Sequence, residues 1–230
     1  MADLIGKGLY TPAEAGRLLR VPPQKITRWL RGHSVKGQYY PALWKSEITL
    51  DDDQLILGFR DLMEVRVADA FIRAGVSAIR VRSAIQVAKE AIGSDHPLST
   101  DKFRTDGREI FLRIIEMDDS GEETERLLNL FRRQYEFRGI VEPILKTVDF
   151  DAEGEPQQWW PNGRRLNIVI DPERSFGQPI DAETSVPTAI LASFAEMQGI
   201  EATAKAYEVP ENSVRRALEF ENMLSERKAA

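Results

Sequence analysis

Hydrophobic side chains in the first part of the chain recur every three or four positions, which is the spacing of one face of a helix. In residues 11–31 that spacing is interrupted at Val21-Pro22, and the residue before a proline is disfavoured in helical conformation. The pattern therefore predicts two short helices joined by a tight turn. Thr11 is the expected N-cap of the first helix, and the second runs from about Pro23 to Arg31.

The next stretch predicts a hairpin followed by two longer helices. The apolar runs 48–50 and 55–57 flank a turn-forming cluster at 51–54, which is typical of a hairpin within residues 39–58. Helical spacing returns over residues 59–74 and 77–92. A hairpin that follows two short helices of this kind is a wing, so the order of elements predicts a winged helix-turn-helix.

The middle of the chain, residues 96–165, is predicted to contain β-structure. Asp106-Gly107 lies between two apolar stretches and is a strong two-residue hairpin signal. Pro161-Asn162-Gly163 marks a second hairpin. Residues 137–147 predict a helix between the two.

The last part, residues 168–224, is predicted to be helical, with helices that begin near Pro187, Ile200 and Glu211. The protein is therefore expected to be mainly α-helical with small β-hairpins, an α+β fold. Three domains are predicted: 1–95, a winged helix-turn-helix; 96–165, a β-containing region suited to dimerisation; and 166–230, a three-helix domain that resembles a helix-turn-helix.

Charge is distributed unevenly along the chain. The net charge is −6, yet residues 1–50 hold eight lysines and arginines against three acidic residues, a net of +5. The remainder therefore carries −11. A basic N-terminal segment on an acidic body is typical of a DNA-binding protein with a separate dimerisation or partner-binding region.

The second short helix divides its side chains between two sides. Ile26, Trp29 and Leu30 suit packing on the helix's own domain, and polar donors lie on the other side. An ordinary helical hairpin within a core is the alternative. The candidates for contact with base edges are Gln24, Lys25, Thr27 and Arg28, and the candidates for contact with phosphates are Arg17, Arg31 and Lys36.

A later segment repeats the shape of the first. AYEVPENSVRRAL, residues 206–218, matches LLRVPPQKITRWL, residues 18–30, with Val-Pro in both turns. The later segment lies in an acidic region, since residues 166–230 carry a net charge of −5. Because phosphates repel an acidic helix, this second unit is expected to bind a protein or to serve a structural role in preference to binding DNA.

Two adjacent tryptophans, Trp159 and Trp160, fall on a predicted strand and therefore point to opposite faces. One of them is a candidate for a dimer or partner interface, where tryptophan is enriched. The alternative is that one lies in the core and a neighbouring loop half-covers the other.

The sequence offers no catalytic or cofactor-binding motif, so neither enzymatic activity nor a cofactor is expected. There is no cysteine, and the two histidines, His33 and His96, are too few for a histidine-rich metal site. His96 is predicted to be exposed or to cap a helix. No apolar run is long enough for a membrane span and no signal peptide is evident, so a cytoplasmic protein is expected.

Two parts of the chain resemble known families. Residues 8–92 resemble the MerR-type winged helix-turn-helix, through YTPAEAGRLLRVPPQKITRWL and the later AGVSAIRVRSAI. Residues 166–224 resemble the family of domains of unknown function 433, through IVIDP, GQPI, VP and the closing ALEF. The whole chain, with FGQPI and VPTAIL in its tail, resembles the longer VapB-type antitoxins.

That last resemblance implies a partner toxin with a PIN-like ribonuclease fold, encoded in the same operon, and repression of the operon through operator DNA. A homodimer is expected, because readers of this kind bind two half-sites about one helical turn apart. The candidates for partner contact are Trp159, Trp160, Arg174, Arg215 and Arg216. The alternative function is a MerR-like transcriptional regulator that responds to a small-molecule effector and has no toxin.

Overall fold

The computed structural model describes residues 6–48, 54–117 and 134–225, and their side chains except those of 111–117 and 134–136. The described residues form two compact units. The larger lies within residues 10–146 and includes Phe150–Pro156, and the smaller comprises residues 6–9, Thr147–Asp149 and 157–225. Helices predominate and two small antiparallel sheets accompany them, so the predicted mixed α+β fold class is confirmed.

The larger unit begins with the two predicted short helices, α1 (Pro12–Leu19) and α2 (Pro23–Arg31). Thr11 caps α1, as the sequence predicts. The Glu14 backbone N–H donates to the Thr11 hydroxyl at 3.2 Å, and the Thr11 backbone N–H donates to the Glu14 carboxylate at 2.8 Å. Two donors at the start of the helix are thereby satisfied reciprocally.

A hairpin follows α2 directly. Its strands are β1 (His33–Val35) and β2 (Gln38–Tyr40), and Val35 lies opposite Gln38 in the antiparallel register. Lys36 and Gly37 form the two-residue turn, and their φ angles are 50° and 83°. Positive φ at both central residues is what a type I′ hairpin turn requires.

The location of this hairpin at residues 33–40 corrects the prediction of a hairpin within residues 39–58. The expected turn at 51–54 lies almost wholly outside the described residues. Leu57, predicted to pair within that hairpin, instead forms a bridge with Tyr10, and the two backbone hydrogen bonds measure 3.0 and 2.8 Å. An acidic cluster marks a change of direction but does not identify which distant segment a strand will pair with.

Four longer helices follow in the described part of the larger unit: α3 (Phe59–Arg73), α4 (Ala78–Ile92), α5 (Asp101–Met117) and α6 (Gln134–Leu145). Phe71, Phe103 and Phe137, one from each of α3, α5 and α6, meet with ring centroids 5.9–6.1 Å apart. Aromatic rings at such distances attract one another, so this cluster joins helices that are far apart in sequence.

The helix α5 contradicts the hairpin predicted at Asp106-Gly107. Both residues lie inside a continuous helix, in which Phe103, Gly107 and Ile110 are buried. A Cβ atom at Gly107 would lie 2.7 Å from the Phe103 ring, so this glycine gives room to a buried aromatic side chain and marks no turn. The buried positions recur at helical spacing, whereas a hairpin needs alternation on both sides of its turn.

A buried carboxylate holds loops of the larger unit against α3. Asp61 is fully buried and accepts hydrogen bonds from Trp44 Nε1 at 2.8 Å, from Ser46 Oγ at 2.9 Å, and from the backbone N–H groups of Glu47 and Gly58 at 3.0 and 2.9 Å. His96 Nε2 lies 2.9 Å from the same carboxylate. Burial alone would raise the pKa of Asp61, but His96 and the other hydrogen bonds lower it below its ordinary value.

His96 is buried, which corrects the prediction of an exposed or capping histidine. That prediction rested on its position in a polar loop after α4. The partner that draws it inward, Asp61, lies in a different helix and far away in sequence. Such a pairing leaves no local pattern that the sequence could reveal.

Glu64 lies one turn beyond Asp61 on α3 and is also fully buried. Its carboxylate accepts the backbone N–H groups of Leu98 at 3.3 Å and Ser99 at 3.0 Å. Burial raises the pKa of Glu64 to about 8. The folded protein therefore keeps a proton on Glu64 at pH values at which the unfolded chain releases it.

We expect the free energy of unfolding to fall, by on the order of a few kcal/mol, as pH rises from the ordinary glutamate value of 4.5 to about 8. A group whose pKa is higher in the folded state than in the unfolded state stabilises the fold fully at pH values below its unfolded-state pKa. This stabilisation is lost as the pH rises through the folded-state pKa. Burial opposes protonation of His96, but Asp61 raises its pKa overall, so His96 acts in the same direction.

Urea unfolding over a series of pH values measures this dependence. The glutamine side chain of Glu64→Gln is neutral at every pH, so this variant should show a smaller fall in the free energy of unfolding as the pH rises. Glu109→Gln changes an exposed carboxylate on α5 and should keep the decline of the unmodified protein. Equal declines in the two variants would contradict the assignment to Glu64.

The smaller unit contains most of a four-stranded sheet. Its strands lie in the order β3 (Val148–Phe150), β4 (Pro156–Trp159), β5 (Ile168–Ile170) and β6 (Pro179–Asp181). β4 pairs antiparallel with β5, with Trp159 opposite Ile170, so the hairpin predicted around residues 161–163 is confirmed. Its loop is longer than the predicted turn and spans residues 160–167.

Three helices follow the sheet at the predicted positions: α7 (Thr188–Gln198), α8 (Ile200–Ala206) and α9 (Glu211–Ser225). Residues 168–181, predicted to be helical, form β5 and β6 instead. Ile168, Val169 and Ile170 are all fully buried, and a short run of β-branched residues is typical of a central strand. Within the described part of the chain, no helix combines the length and apolar character that a membrane crossing needs.

Candidate nucleic-acid interface

The turn between α1 and α2 is held by its backbone. Arg20 adopts the left-handed conformation with a φ of 59°, and the Val21 N–H donates to Gly16 O at 3.2 Å. Glycine is required at position 16, because a Cβ atom there would lie 2.6 Å from Val21 O. Pro22 and Pro23 then begin α2, where a missing N–H leaves no helix hydrogen bond unmade.

The second helix is amphipathic in the way the sequence predicts. The side chains buried against the larger unit are Ile26, Trp29 and Leu30. One face of α2, spaced i, i+3, i+4 and i+7, carries the polar residues Gln24, Thr27, Arg28 and Arg31. Of these, Gln24, Arg28 and Arg31 are exposed. Gln24 lies in the first turn of the helix, the part of a recognition helix that reaches base edges, and Arg28 and Arg31 lie in its last turn.

Lys25, a predicted base-contacting residue, has a partner inside the larger unit. Its Nζ lies 2.9 Å from Asp69 Oδ1 on α3 and 4.8 Å from the ring centroid of Trp29. Asp69 is buried and also pairs with Arg73 at 2.6 Å. The amine of Lys25 therefore ties α2 to α3.

Thr27 is also engaged within its own helix, because its hydroxyl donates to Pro23 O at 3.0 Å. The contacts of Lys25 and Thr27 leave two of the four base-edge candidates, Gln24 and Arg28, with side chains on the exposed face of α2. A test of DNA binding is therefore best aimed at this pair, since replacing Lys25 would also disturb the Asp69 contact.

The three predicted phosphate-contacting residues are all exposed: Arg17 on α1, Arg31 in the last turn of α2, and Lys36 at the tip of the hairpin. The hairpin is held against the end of α2, where the Tyr39 hydroxyl donates to Arg31 O at 3.3 Å. Gly32 makes this approach possible, because a Cβ atom there would lie 2.6 Å from Tyr40 O. Exposed basic side chains thus occur on α1, on α2 and on the hairpin.

This hairpin carries two exposed apolar side chains that were not predicted from the sequence. Val35 and Tyr39 are exposed, at 47% and 61% of their surface, although both are large and hydrophobic. Val35 directly precedes the Lys36-Gly37 turn, and Tyr39 follows it after Gln38. The Lys36-Gly37 pair lies between short stretches of β-forming side chains, and this pattern could have predicted the hairpin from the sequence.

The second helix-turn-helix segment has the same turn as the first. The Val209 N–H donates to Ala204 O at 3.0 Å, just as Val21 donates to Gly16. Glu208, the equivalent of Arg20, is likewise left-handed, with a φ of 54°. The likeness that the sequence shows between the two segments therefore extends to their backbone conformation.

The two second helices differ in what they present. Arg216, at the position equivalent to Arg28, donates to Asp181 Oδ1 through Nε and Nη2 at 3.0 and 2.7 Å. It also reaches Glu183 at 2.9 Å. Burial alone would lower the pKa of Arg216, but these carboxylates raise it. Arg215 is exposed and pairs with Glu211 at 2.9 Å. Acidic residues thus occupy or neutralise the face that is basic in α2.

The remaining partner-contact candidates lie in the smaller unit. Trp159 is buried, whereas Trp160 is half-buried, donates from Nε1 to Asp149 at 2.8 Å, and has the Arg164 guanidinium 5.0 Å from its ring centroid. This matches the alternative in which one tryptophan lies in the core and a loop half-covers the other. Arg174 donates from Nε to Asp171 at 2.8 Å.

Comparison with known proteins adds a relationship that covers nearly the whole chain. No protein-family model matches the sequence. The chain is 30% identical over 222 residues to a protein of Mycobacterium tuberculosis named "Putative antitoxin VapB45", with 92% of each sequence covered. It is also similar to the crystal structure of Rv2018 from Mycobacterium tuberculosis, with a TM-score of 0.69, 28% identity, and coverage of 91% of this chain and 96% of that one.

Proposed function

Because the chain belongs to the VapB45 family of antitoxins, we propose that it is the antitoxin of a type II toxin–antitoxin system. In this proposal the protein binds and neutralises a PIN-like ribonuclease toxin encoded in the same operon, and represses that operon by binding its operator. The observation that carries the proposal is the similarity to an antitoxin over 92% of the chain. The MerR-like and unknown-function-433 resemblances of its two ends stay predictions.

The proposed DNA-binding surface consists of α2, the last turn of α1 and the β1–β2 hairpin. A homodimer would place α2 of each copy in successive major grooves, about 34–36 Å apart along the duplex. Gln24 and Arg28 would contact base edges, because an amide suits adenine and a guanidinium suits guanine in the major groove. Arg17, Arg31 and Lys36 would neutralise phosphates.

Salt dependence gives a first measure of the proposed phosphate contacts. If a dimer makes about 6–10 of them, affinity for the DNA upstream of its own gene should fall about 10³–10⁵-fold between 50 and 200 mM salt.

The proposal assigns toxin binding to the smaller unit. Its acidic residues suit a protein that must itself bind polyanionic RNA.

The experiment that tests the function uses the full chain and the neighbouring gene. Co-expression is expected to yield a complex that survives purification and to relieve the growth arrest that the toxin causes alone. A chain that neither binds the neighbouring gene product nor restores growth would contradict the antitoxin assignment.

A further inference from the structure

A tight turn in the smaller unit, Ser175–Gly177, has an unusual backbone and an unusual side chain. Ser175, Phe176 and Gly177 have φ angles of 47°, 54° and 78°, so three successive residues are left-handed. Only glycine adopts this conformation without steric cost. Phe176 adopts it while leaving 67% of its surface exposed, so burial of its ring does not explain why a bulky residue occupies the position.

Hydrogen bonds hold this turn in one conformation. The Gly177 N–H donates to Arg174 O at 2.9 Å, and the Gln178 N–H donates to Ser175 O at 3.0 Å. The carbonyl of Phe176 itself accepts the Leu9 N–H at 3.0 Å. The backbone that carries the exposed ring is therefore fixed on both sides.

A buried carboxylate anchors the residues that lead into the turn. Asp171 accepts the Glu173 N–H at 2.9 Å, Gln158 Nε2 at 2.8 Å and Arg174 Nε at 2.8 Å. Arg174 in turn donates from Nη1 to the Ser185 hydroxyl at 3.1 Å. An exposed aromatic ring on a backbone fixed in advance loses little conformational freedom on binding, and such side chains commonly dominate the affinity of an interface.

We propose that Phe176 is the anchor by which the smaller unit binds the ribonuclease toxin, inserting its ring into an apolar pocket on the basic, RNA-binding face of that protein. This rests on the proposed function and deepens it. Strain is retained at functional sites where the surrounding structure enforces it, and here the enforcing contacts lead to an exposed ring.

Charge selects the kind of partner. Residues 166–230, which make up most of the smaller unit, carry a net charge of −5, so a second copy would bring like charge to that part of the surface. A protein that binds RNA must present positive charge to the phosphates, and its binding face is therefore complementary to the smaller unit. Electrostatic attraction then steers the encounter, and the aromatic ring supplies the anchor.

The decisive variant is Phe176→Gly in the full chain, measured by titration calorimetry against the purified toxin and by thermal unfolding. Glycine relieves the left-handed strain, so we expect the unfolding temperature to stay the same or to rise. Affinity for the toxin should fall at least thirty-fold, and affinity for operator DNA should not change. The matched control is Met197→Ala, which truncates another apolar side chain of the same unit, 71% exposed, and should leave toxin affinity within two-fold of the unmodified protein.

The outcomes separate this inference from the function on which it rests. If the unmodified protein forms no complex with the toxin, the proposed function fails. If it does form the complex and Phe176→Gly binds as tightly, the anchor is wrong. A loss of self-association with unchanged toxin affinity would assign the ring to a second copy of the chain and would also overturn the proposal.

Discussion

Replacement of both Gln24 and Arg28 by alanine is expected to weaken binding to operator DNA by roughly a hundred-fold or more. Each bidentate contact to a base edge contributes about 1–3 kcal/mol of discrimination, and both side chains lie exposed on one face of α2. The residual binding should lose its preference for the operator over unrelated DNA, because phosphate contacts carry no sequence information. Quantitative gel-shift titration against the two duplexes measures both effects.

The chain offers a matched control for this experiment. Asn212 and Arg215 are exposed near the start of α9, so Asn212→Ala with Arg215→Ala removes one amide and one arginine from the second helix-turn-helix. This double variant should bind the operator like the unmodified protein. An unchanged affinity in the α2 variant, or an equal loss in the α9 variant, would contradict the assignment of DNA binding to α2.

Asp61→Ala is expected to lower the free energy of unfolding of the larger unit by about 3–5 kcal/mol, the usual effect of removing one partner of a buried ionic pair. The side chain is fully buried and receives four hydrogen bonds from protein donors besides His96. Its removal leaves two buried donors, Trp44 Nε1 and the Gly58 N–H, without this acceptor. Chemical denaturation measures the loss, and the transition should move to markedly lower urea concentration.

Two further variants keep this prediction testable if the alanine protein is too unstable to purify. Asp61→Asn preserves the shape and part of the acceptor capacity, so it should be intermediate in stability. Asp95→Ala removes a carboxylate that is 88% exposed and pairs with Lys89, and it should change the free energy of unfolding by less than about 0.5 kcal/mol. The role given to the Asp61 carboxylate would be refuted if the free energy of unfolding of Asp61→Ala lay within about 1 kcal/mol of that of the unmodified protein, as is expected of the control.

Local signals in the sequence were sufficient for most of the helices. The Thr11 cap, the break at Val21-Pro22 and the apolar spacing of α3 and α4 act over one or two turns of chain, and the structure has each of them. The turn shared by residues 18–30 and 206–218 was visible for the same reason. It depends on a short segment whose conformation is largely set by its own residues.

The errors have a common cause, which is competition from distant partners. Asp106-Gly107 is a turn signal by itself, but the helix that contains it packs the Phe103 ring against Phe71 of α3 and Phe137 of α6. Leu57 pairs with Tyr10, and His96 pairs with Asp61, in each case across a long stretch of chain. The same limit applies to Lys25, whose contact with DNA stays a prediction: its place on α2 gave no sign of the ion pair with Asp69, because Asp69 lies on another helix.

The equivalence of the two helix-turn-helix segments has a consequence for how such proteins diversify. Their shared backbone comes from a Val-Pro pair, a left-handed residue and one hydrogen bond, and none of these lies on the exposed face of the second helix. The exposed residues that contact a ligand can therefore change from basic to acidic without disturbing the residues that form the motif. One small scaffold, present twice in a single chain, is in this way able to acquire opposite electrostatic preferences by surface substitution alone.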